Sequence, residues 1–168
     1  MDVNERAQNI KLLLMDCDGV LTDGRLYFSE RGEELKVFHV RDGQGIVMWH
    51  QAGFRSGIIT GRDAEQIITR RATELGIHYV KTRSVDKVAD FEAILADANV
   101  TPDEAAFIGD DVGDLELLKK VGFPIAVADA VPEVKEAVQL VTKKKGGCGA
   151  VREITDLLIQ AKMFSRSG

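Results

Sequence analysis

The chain has 168 residues, of which 45% are hydrophobic, and its formal net charge is −5 at pH 7. This length and composition predict one domain over residues 1–168 with a substantial core, and the acidic balance provides no broad basic field for nucleic acid or an anionic membrane. No apolar run approaches the roughly 20 residues that span a bilayer, and the first residues lack the order of a signal peptide, so we expect a cytoplasmic protein.

Short apolar runs alternate with helical periods along the chain, which is typical of alternating strands and helices. Residues 10–15 predict a first strand that is buried on both faces, because nearly all its side chains are apolar. Residues 25–40 break the alternation, since two β-rich arms flank a polar centre, and predict a β-hairpin flap. Further strands are predicted at residues 54–59, 77–80, 105–108 and 125–127.

Apolar residues at helical spacing predict helices between these strands. One such helix ends before Gly76, and a later one ends before Gly122, which is predicted to act as its C-terminal cap. A glycine-rich tail motif, GGCGAVRE, and a last helix are expected at about residues 146–162. Together these elements predict a Rossmann-like open parallel sheet with helices on both faces.

Polar residues follow four of the predicted strands, at the edge where open α/β sheets bind their ligands. In strand order they are Asp16 and Asp18; Thr60, Gly61 and Arg62; Lys87; and Asp110, Asp111 and Asp114. Like carboxylates repel unless a cation joins them, and Mg²⁺ prefers hard oxygen ligands. This edge therefore predicts a magnesium site that binds phosphate.

The two aspartates after the first strand are expected to have different roles. Asp16 is the expected nucleophile, because carboxylates attack phosphorus to form aspartyl phosphates. Asp18 is placed to protonate the leaving oxygen and then to accept a proton from water, while its backbone carbonyl contacts the metal. Asp16 and Asp110 would hold Mg²⁺. The ion, Thr60 and Lys87 would together neutralise and orient the phosphate oxygens.

Four ordered motifs carry a family resemblance. DCDGVLTDG resembles the DxDGxxTDG signature of the haloacid dehalogenase-like phosphatases, and IITGR, the Lys87 region and GDDVGD are similar to the second, third and fourth motifs. Over residues 10–160 the chain is similar to the small branch without a cap domain, through GEELKVFHVRDGQG, IITGR and GGCGAVREI. The resemblance implies metal ligation by Asp16, the Asp18 carbonyl and Asp110, with supporting carboxylates around the ligands at Asp111 and Asp114.

The branch resemblance also implies a substrate and an assembly. The expected substrate is 3-deoxy-D-manno-octulosonate 8-phosphate, a precursor in lipopolysaccharide synthesis, and the alternative is the 9-phosphate of a nine-carbon sialic-type sugar acid. A homotetramer is implied, in which the hairpin builds the contact and a neighbour's surface closes each site. The implied phosphate ligands are Thr60 and Lys87, and Arg62 and Arg70 match positions that meet the phosphate or the carboxylate of the substrate. The further implied substrate ligands are Asp18, His39, Val40, Arg41, Asp42, Gly43 and Gly61.

Two departures and two rival functions accompany this resemblance. Cys148 stands where the branch often has a basic or polar residue, and Gly113 stands where many relatives have asparagine. A receiver-like signalling domain also takes phosphate on an aspartate, but it would lack an acid/base residue at Asp18. A degenerate homologue that only regulates a partner would have damaged catalytic positions, whereas those of this chain are intact.

Overall fold

The structure is a computed structural model that describes residues 2–165. The strands within this range are β1 (Leu12–Met15), β2 (Tyr27–Ser29), β3 (Gly32–Leu35), β4 (Arg55–Ile59), β5 (Tyr79–Lys81), β6 (Ala105–Gly109), β7 (Phe123–Ala126) and β8 (Leu140–Val141). The α-helices are α1 (Val3–Asn9), α2 (Val40–Gln51), α3 (Glu65–Leu75), α4 (Lys87–Ala98), α5 (Leu115–Leu118), α6 (Pro132–Ala137) and α7 (Ala150–Ser165).

Six strands form a parallel sheet in the order β5-β4-β1-β6-β7-β8. The central strand, β1, is completely buried, as expected for an apolar run with neighbours on both sides. The chain moves outward from β1 through β4 and β5, and then returns to β6 on the other side of β1. Such a reversal leaves a crevice at the carboxyl ends of the two strands, here β1 and β6, where open α/β sheets bind their ligands.

Helices pack together in layers over the sheet. Helix α7 contacts both α1 and α2, while α5 contacts both α4 and α6. The strands β2 and β3 form a separate antiparallel hairpin outside the main sheet. The predicted Rossmann-like parallel sheet, with a hairpin after the first strand, is confirmed. Within residues 2–165, no helix combines the length and apolar character that a membrane crossing requires.

Some observed boundaries differ from the predicted ones. The hairpin lies within the predicted range of about residues 25–40, but its strands end at Leu35 and Val40 already begins α2. The last helix follows the glycine-rich tail as predicted, but it extends to Ser165 and not only to about residue 162. Gly122 does not cap α5, which ends at Leu118, because its amide donates instead to the carbonyl of Pro102.

Candidate active site

One pocket of about 360 Å³ opens at the carboxyl ends of β1, β4 and β6. Parallel pairing carries the polar residues to this edge, since the Asp16 amide still donates to Ile108 of β6 and the Thr60 amide to Lys81 of β5. The pocket is lined by Asp16, Asp18, Gly24, Leu26, Thr60, Gly61, Arg62, Lys87, Asp110, Asp111, Gly113 and Asp114. The strand-end residues predicted from the sequence therefore meet in one place.

Lys87 joins two of the carboxylates. Its Nζ donates to Asp16 Oδ2 and to Asp114 Oδ1, each at 2.7 Å. Asp86 accepts hydrogen bonds from the backbone amides of Val88 and Ala89 and so fixes the start of α4 at Lys87. Burial lowers the pKa of Lys87, but the two carboxylates outweigh burial and raise it above the usual value, so the ammonium stays charged.

Asp114 is completely buried and holds the loop that follows β6. Its Oδ2 accepts a hydrogen bond from the Asp110 amide at 3.0 Å, while its Oδ1 is bound by Lys87. A 3₁₀ turn at Val112–Asp114, capped by Asp111, brings this carboxylate back beneath the loop. Both Asp114 oxygens are thus engaged, which suits a residue that positions Lys87 and Asp110.

The carboxylates of Asp16, Asp110 and Asp114 form a tight group, each offering an oxygen within 4.8 Å of the others. Burial raises the pKa of Asp16 to about 6, against the opposing effect of Lys87. Burial, followed by repulsion from Asp16 and Asp114, raises the pKa of Asp110 to about 8. Asp110 Oδ1 is buried and lacks a hydrogen-bond partner within the described part of the chain. These residues fit Mg²⁺, because a hard divalent cation would pair this oxygen and remove the repulsion.

The loop between β1 and the hairpin approaches this group closely. Gly19 has a φ of +87°, and a Cβ at this position would lie 1.9 Å from Asp110 Oδ2. The buried Thr22 hydroxyl accepts hydrogen bonds from the amides of Gly19 and Gly24, which closes the loop. Only glycine therefore allows this loop to pass so close to the Asp110 carboxylate.

We expect the metal-free protein to lose stability as the pH rises from 3.8 to about 8. Across this window Asp110 keeps its proton in the folded state and loses it in the unfolded state, so the folded state binds more protons and deprotonation favours unfolding. Added Mg²⁺ should reverse the trend, because it stabilises the ionised carboxylates. Urea unfolding at pH 5 and pH 8, with EDTA or with Mg²⁺, measures the effect, and Asp110→Asn should weaken it. A metal-free protein that is more stable at pH 8 would contradict this prediction.

Asp18 and Thr60 lie on the other side of the pocket. Asp18 Oδ1 accepts a hydrogen bond from Lys36 Nζ at 2.6 Å, and Asp18 Oδ2 lies 3.9 Å from Arg62 Nε. Thr60 is buried, and its hydroxyl accepts a hydrogen bond from the Arg62 amide at 3.4 Å. The contact between Lys36 and Asp18 was not predicted, although a lone lysine between two apolar residues of a β-arm was the available signal.

The other predicted substrate ligands do not line this pocket within their own chain. His39 caps α2, where Val40 and Arg41 are exposed in the first turn. Asp42 is 1% exposed and accepts hydrogen bonds from the amides of Gly149 and Arg152 at the start of α7. Gly43 is buried in α2, and Arg70 is exposed on α3. Their predicted role in substrate binding requires a neighbouring chain and stays a prediction.

The glycine-rich tail packs against the loop after β1 of the same chain. The Gly147 amide donates to the carbonyl of Val20 at 2.9 Å. A Cβ on Gly146 would lie 1.7 Å from the carbonyl oxygen of Gly19, while Cys148 is exposed. The tail therefore supports the loop that carries Asp18.

Gly146→Ala is expected to reduce both stability and turnover. The new methyl group displaces the Gly19 carbonyl, and overpacking of this kind costs about 1–3 kcal/mol in the free energy of unfolding. We expect turnover to fall at least about tenfold, because a displaced loop misplaces Asp18. Phosphate release and thermal unfolding measure the two effects. Gly53→Ala is the control, since its φ of +92° strains the backbone but a Cβ there meets nothing within 4 Å; equal activity losses in both variants would contradict the argument.

Comparison with known proteins places this geometry in a family. The model of the haloacid dehalogenase-like hydrolases matches residues 59–154. The 3-deoxy-D-manno-octulosonate 8-phosphate phosphatase KdsC of Yersinia pestis is 44% identical over 161 residues, which cover 96% of this chain and 86% of that protein. The KdsC protein of Escherichia coli K12 is also 44% identical, over 96% of this chain and 85% of its own length.

Solved structures give the same result. The crystal structure of the phosphatase from Yersinia pestis has a TM-score of 0.93 at 43% identity and covers 96% of this chain and 86% of its own. The phosphatase from Moraxella catarrhalis, in complex with magnesium ion, phosphate ion and KDO, has a TM-score of 0.92 at 35% identity, over 98% of this chain and 94% of that chain. The four motifs, the parallel sheet and these similarities show that the chain belongs to the haloacid dehalogenase-like hydrolases.

Proposed function

We propose that this chain is a Mg²⁺-dependent phosphatase that hydrolyses 3-deoxy-D-manno-octulosonate 8-phosphate to the free sugar acid and phosphate, a step in the synthesis of lipopolysaccharide precursors. The observation that carries this proposal is the meeting of Asp16, Asp18, Thr60, Lys87 and Asp110 around one pocket. The relatives named above are phosphatases for this substrate and match nearly the whole chain. The reaction class is phosphoric monoester hydrolysis.

The residues of this chain divide the reaction into two displacements. An Asp16 carboxylate oxygen attacks phosphorus, the ester P–O bond breaks, and the leaving sugar oxygen takes a proton from Asp18. Asp18 then accepts a proton from the water that attacks the aspartyl phosphate, which releases phosphate and restores the Asp16 carboxylate and the protonated Asp18. Lys87 and Thr60 line the same pocket, where the Lys87 ammonium and the Thr60 hydroxyl would bind phosphate oxygens.

Mg²⁺ would be held by Asp16 and Asp110 together with the backbone carbonyl of Asp18. When bound, the ion supplies positive charge that screens the carboxylates from the phosphate dianion and stabilises charge on the transferring group. Lys87 and Asp114 stay paired beside it and keep Asp16 oriented.

The substrate assignment is tested by phosphate release from a panel of esters, with Mg²⁺ and with EDTA. We expect turnover of the eight-carbon 8-phosphate to exceed that of the nine-carbon 9-phosphate by more than tenfold in kcat/KM, which corresponds to about 1.4 kcal/mol. EDTA should abolish both activities. A preference for the nine-carbon ester would transfer the assignment to the alternative substrate, and activity that survives EDTA would contradict the metal requirement.

A homotetramer, with sites closed by neighbouring chains, forms part of the same proposal. The hairpin exposes a row of apolar side chains that a monomer would leave in water: Leu26, Tyr27, Phe28, Leu35 and Val37. The predicted substrate ligands of α2 lie outside their own chain's pocket, which is consistent with their serving a neighbour. We further propose that residues 1–168 act as one domain, in the cytoplasm, on a small-molecule substrate.

Phe28→Glu is expected to dissociate this assembly. Phe28 is 64% exposed in the single chain, so a charge there costs the monomer little, whereas its burial between chains would be unfavourable. Sedimentation equilibrium measures the mass of the assembly. Hydrolysis of the sugar acid phosphate should slow when the assembly dissociates. The control is Val85→Glu, at a fully exposed position outside the hairpin. A wild-type monomer, or an unchanged assembly in Phe28→Glu, would contradict the proposed contact.

A further inference from the structure

A charged residue of the hairpin is buried against the pocket. Burial alternates from the last residue of β3 onward, since Leu35 and Val37 are 52% and 51% exposed whereas Lys36 between them is buried. The Lys36 side chain is only 1% exposed, and its Nζ donates to Asp18 Oδ1 at 2.6 Å. Burial of an ammonium is costly, so this contact calls for a role beyond packing.

The two oxygens of the Asp18 carboxylate have different surroundings. Lys36 holds Oδ1, whereas Oδ2 is buried and has no hydrogen-bond partner within residues 2–165, with Arg62 Nε 3.9 Å away. Asp18 itself lines the pocket, but Lys36 does not. The lysine therefore contacts the carboxylate from outside the set of residues that line the pocket.

We infer that Lys36 is a positioning residue that fixes the orientation of the Asp18 carboxylate, leaving Oδ2 to exchange the proton with the leaving sugar oxygen. The hairpin is thereby coupled to the acid/base group, because the residue that anchors Asp18 belongs to the hairpin arm. This inference rests on the proposed function, in which Asp18 protonates the leaving group. Without the anchor the carboxylate can rotate, and proton transfer depends steeply on geometry.

The dependence on the leaving group separates this role from a general structural one. A sugar alkoxide needs a proton as it leaves, whereas 4-nitrophenolate leaves without one. Single-turnover release of the leaving group reports only the first displacement, before water attacks the aspartyl phosphate. Loss of Lys36 should therefore slow release of the sugar acid far more than release of 4-nitrophenolate.

The test compares Lys36→Met, Lys36→Gln and Lys36→Arg with wild type, with excess enzyme and saturating Mg²⁺. For Lys36→Met and Lys36→Gln we expect release of the sugar acid to fall about 10- to 100-fold and release of 4-nitrophenolate to stay within about threefold. Lys36→Arg should restore part of the loss. Lys119→Met is the matched control, since it also breaks a 2.6 Å contact between a lysine and a carboxylate, but on the surface.

A double variant tests whether Lys36 acts through Asp18. Lys36→Met should cost nothing further in an Asp18→Asn background, because the group that it positions is already lost. Equal slowing of both leaving groups, no slowing of either, or multiplied losses in the double variant would each overturn the inference. A wild type that releases neither leaving group would overturn the proposed function, and this inference with it. A fully active wild type with unaffected Lys36 variants would overturn the inference alone.

Discussion

Asp16→Asn is expected to abolish phosphate release, with a fall in turnover on the order of 10⁴-fold or more, as found when a covalent nucleophile is removed. The amide cannot attack phosphorus, yet it keeps the shape of the side chain. Folding should be preserved, because Lys87 retains Asp114 and one of three crowded carboxylates is neutralised. Steady-state phosphate release and thermal unfolding measure the two properties.

Asp103→Asn is the matched control for this substitution. Asp103 is exposed in a 3₁₀ turn that precedes β6, at the opposite edge of the sheet from the pocket. It should retain wild-type turnover. If Asp16→Asn hydrolysed the sugar acid phosphate within tenfold of wild type, Asp16 would not be the nucleophile.

Asp18→Asn is expected to accumulate the aspartyl phosphate on Asp16. With 4-nitrophenyl phosphate the first displacement needs no general acid, but the second needs Asp18 to accept a proton from water. Nitrophenolate should therefore appear as a burst of about one equivalent, followed by slow turnover. Mass spectrometry of the acid-quenched protein should show one added phosphoryl group.

Asp103→Asn again serves as the control and should show no accumulation. A linear time course with an unmodified protein mass would contradict the role of Asp18 in the second displacement. Loss of the adduct in the Asp16→Asn/Asp18→Asn double variant would assign the phosphoryl group to Asp16.

The sequence predicts best the strands that consist of continuous runs of buried apolar residues. β1 and β6 are completely apolar and buried, and their predicted positions differ from the observed ones by two residues or fewer. β8 was missed, because two partly exposed residues carry no periodic signal. α5 is shorter than predicted, because it ends at Leu118 and the Gly122 amide donates to the carbonyl of Pro102 instead of closing the helix.

In the candidate site, the residues that follow strands could be placed from the sequence, whereas contacts between distant parts of the chain could not. Asp16, Thr60 and Asp110 could be placed together because each ends a strand of one parallel sheet. The burial of Asp42 could not be predicted, since its partners Gly149 and Arg152 are more than 100 residues away in the chain. The contact of Lys36 with Asp18 likewise depends on how the hairpin folds back, which local pattern does not determine.

A crystal structure with Mg²⁺ and beryllium fluoride, a mimic of the phosphoryl group, tests the central claim most directly. That claim is that a divalent cation joins Asp16 and Asp110 so that Asp16 can accept a phosphoryl group. We predict beryllium bonded to an Asp16 carboxylate oxygen, with one Mg²⁺ contacted by Asp16, Asp110 and the carbonyl of Asp18. The account would be contradicted by a Mg²⁺ ion that Asp16 and Asp110 do not share, or by beryllium fluoride bonded to another residue.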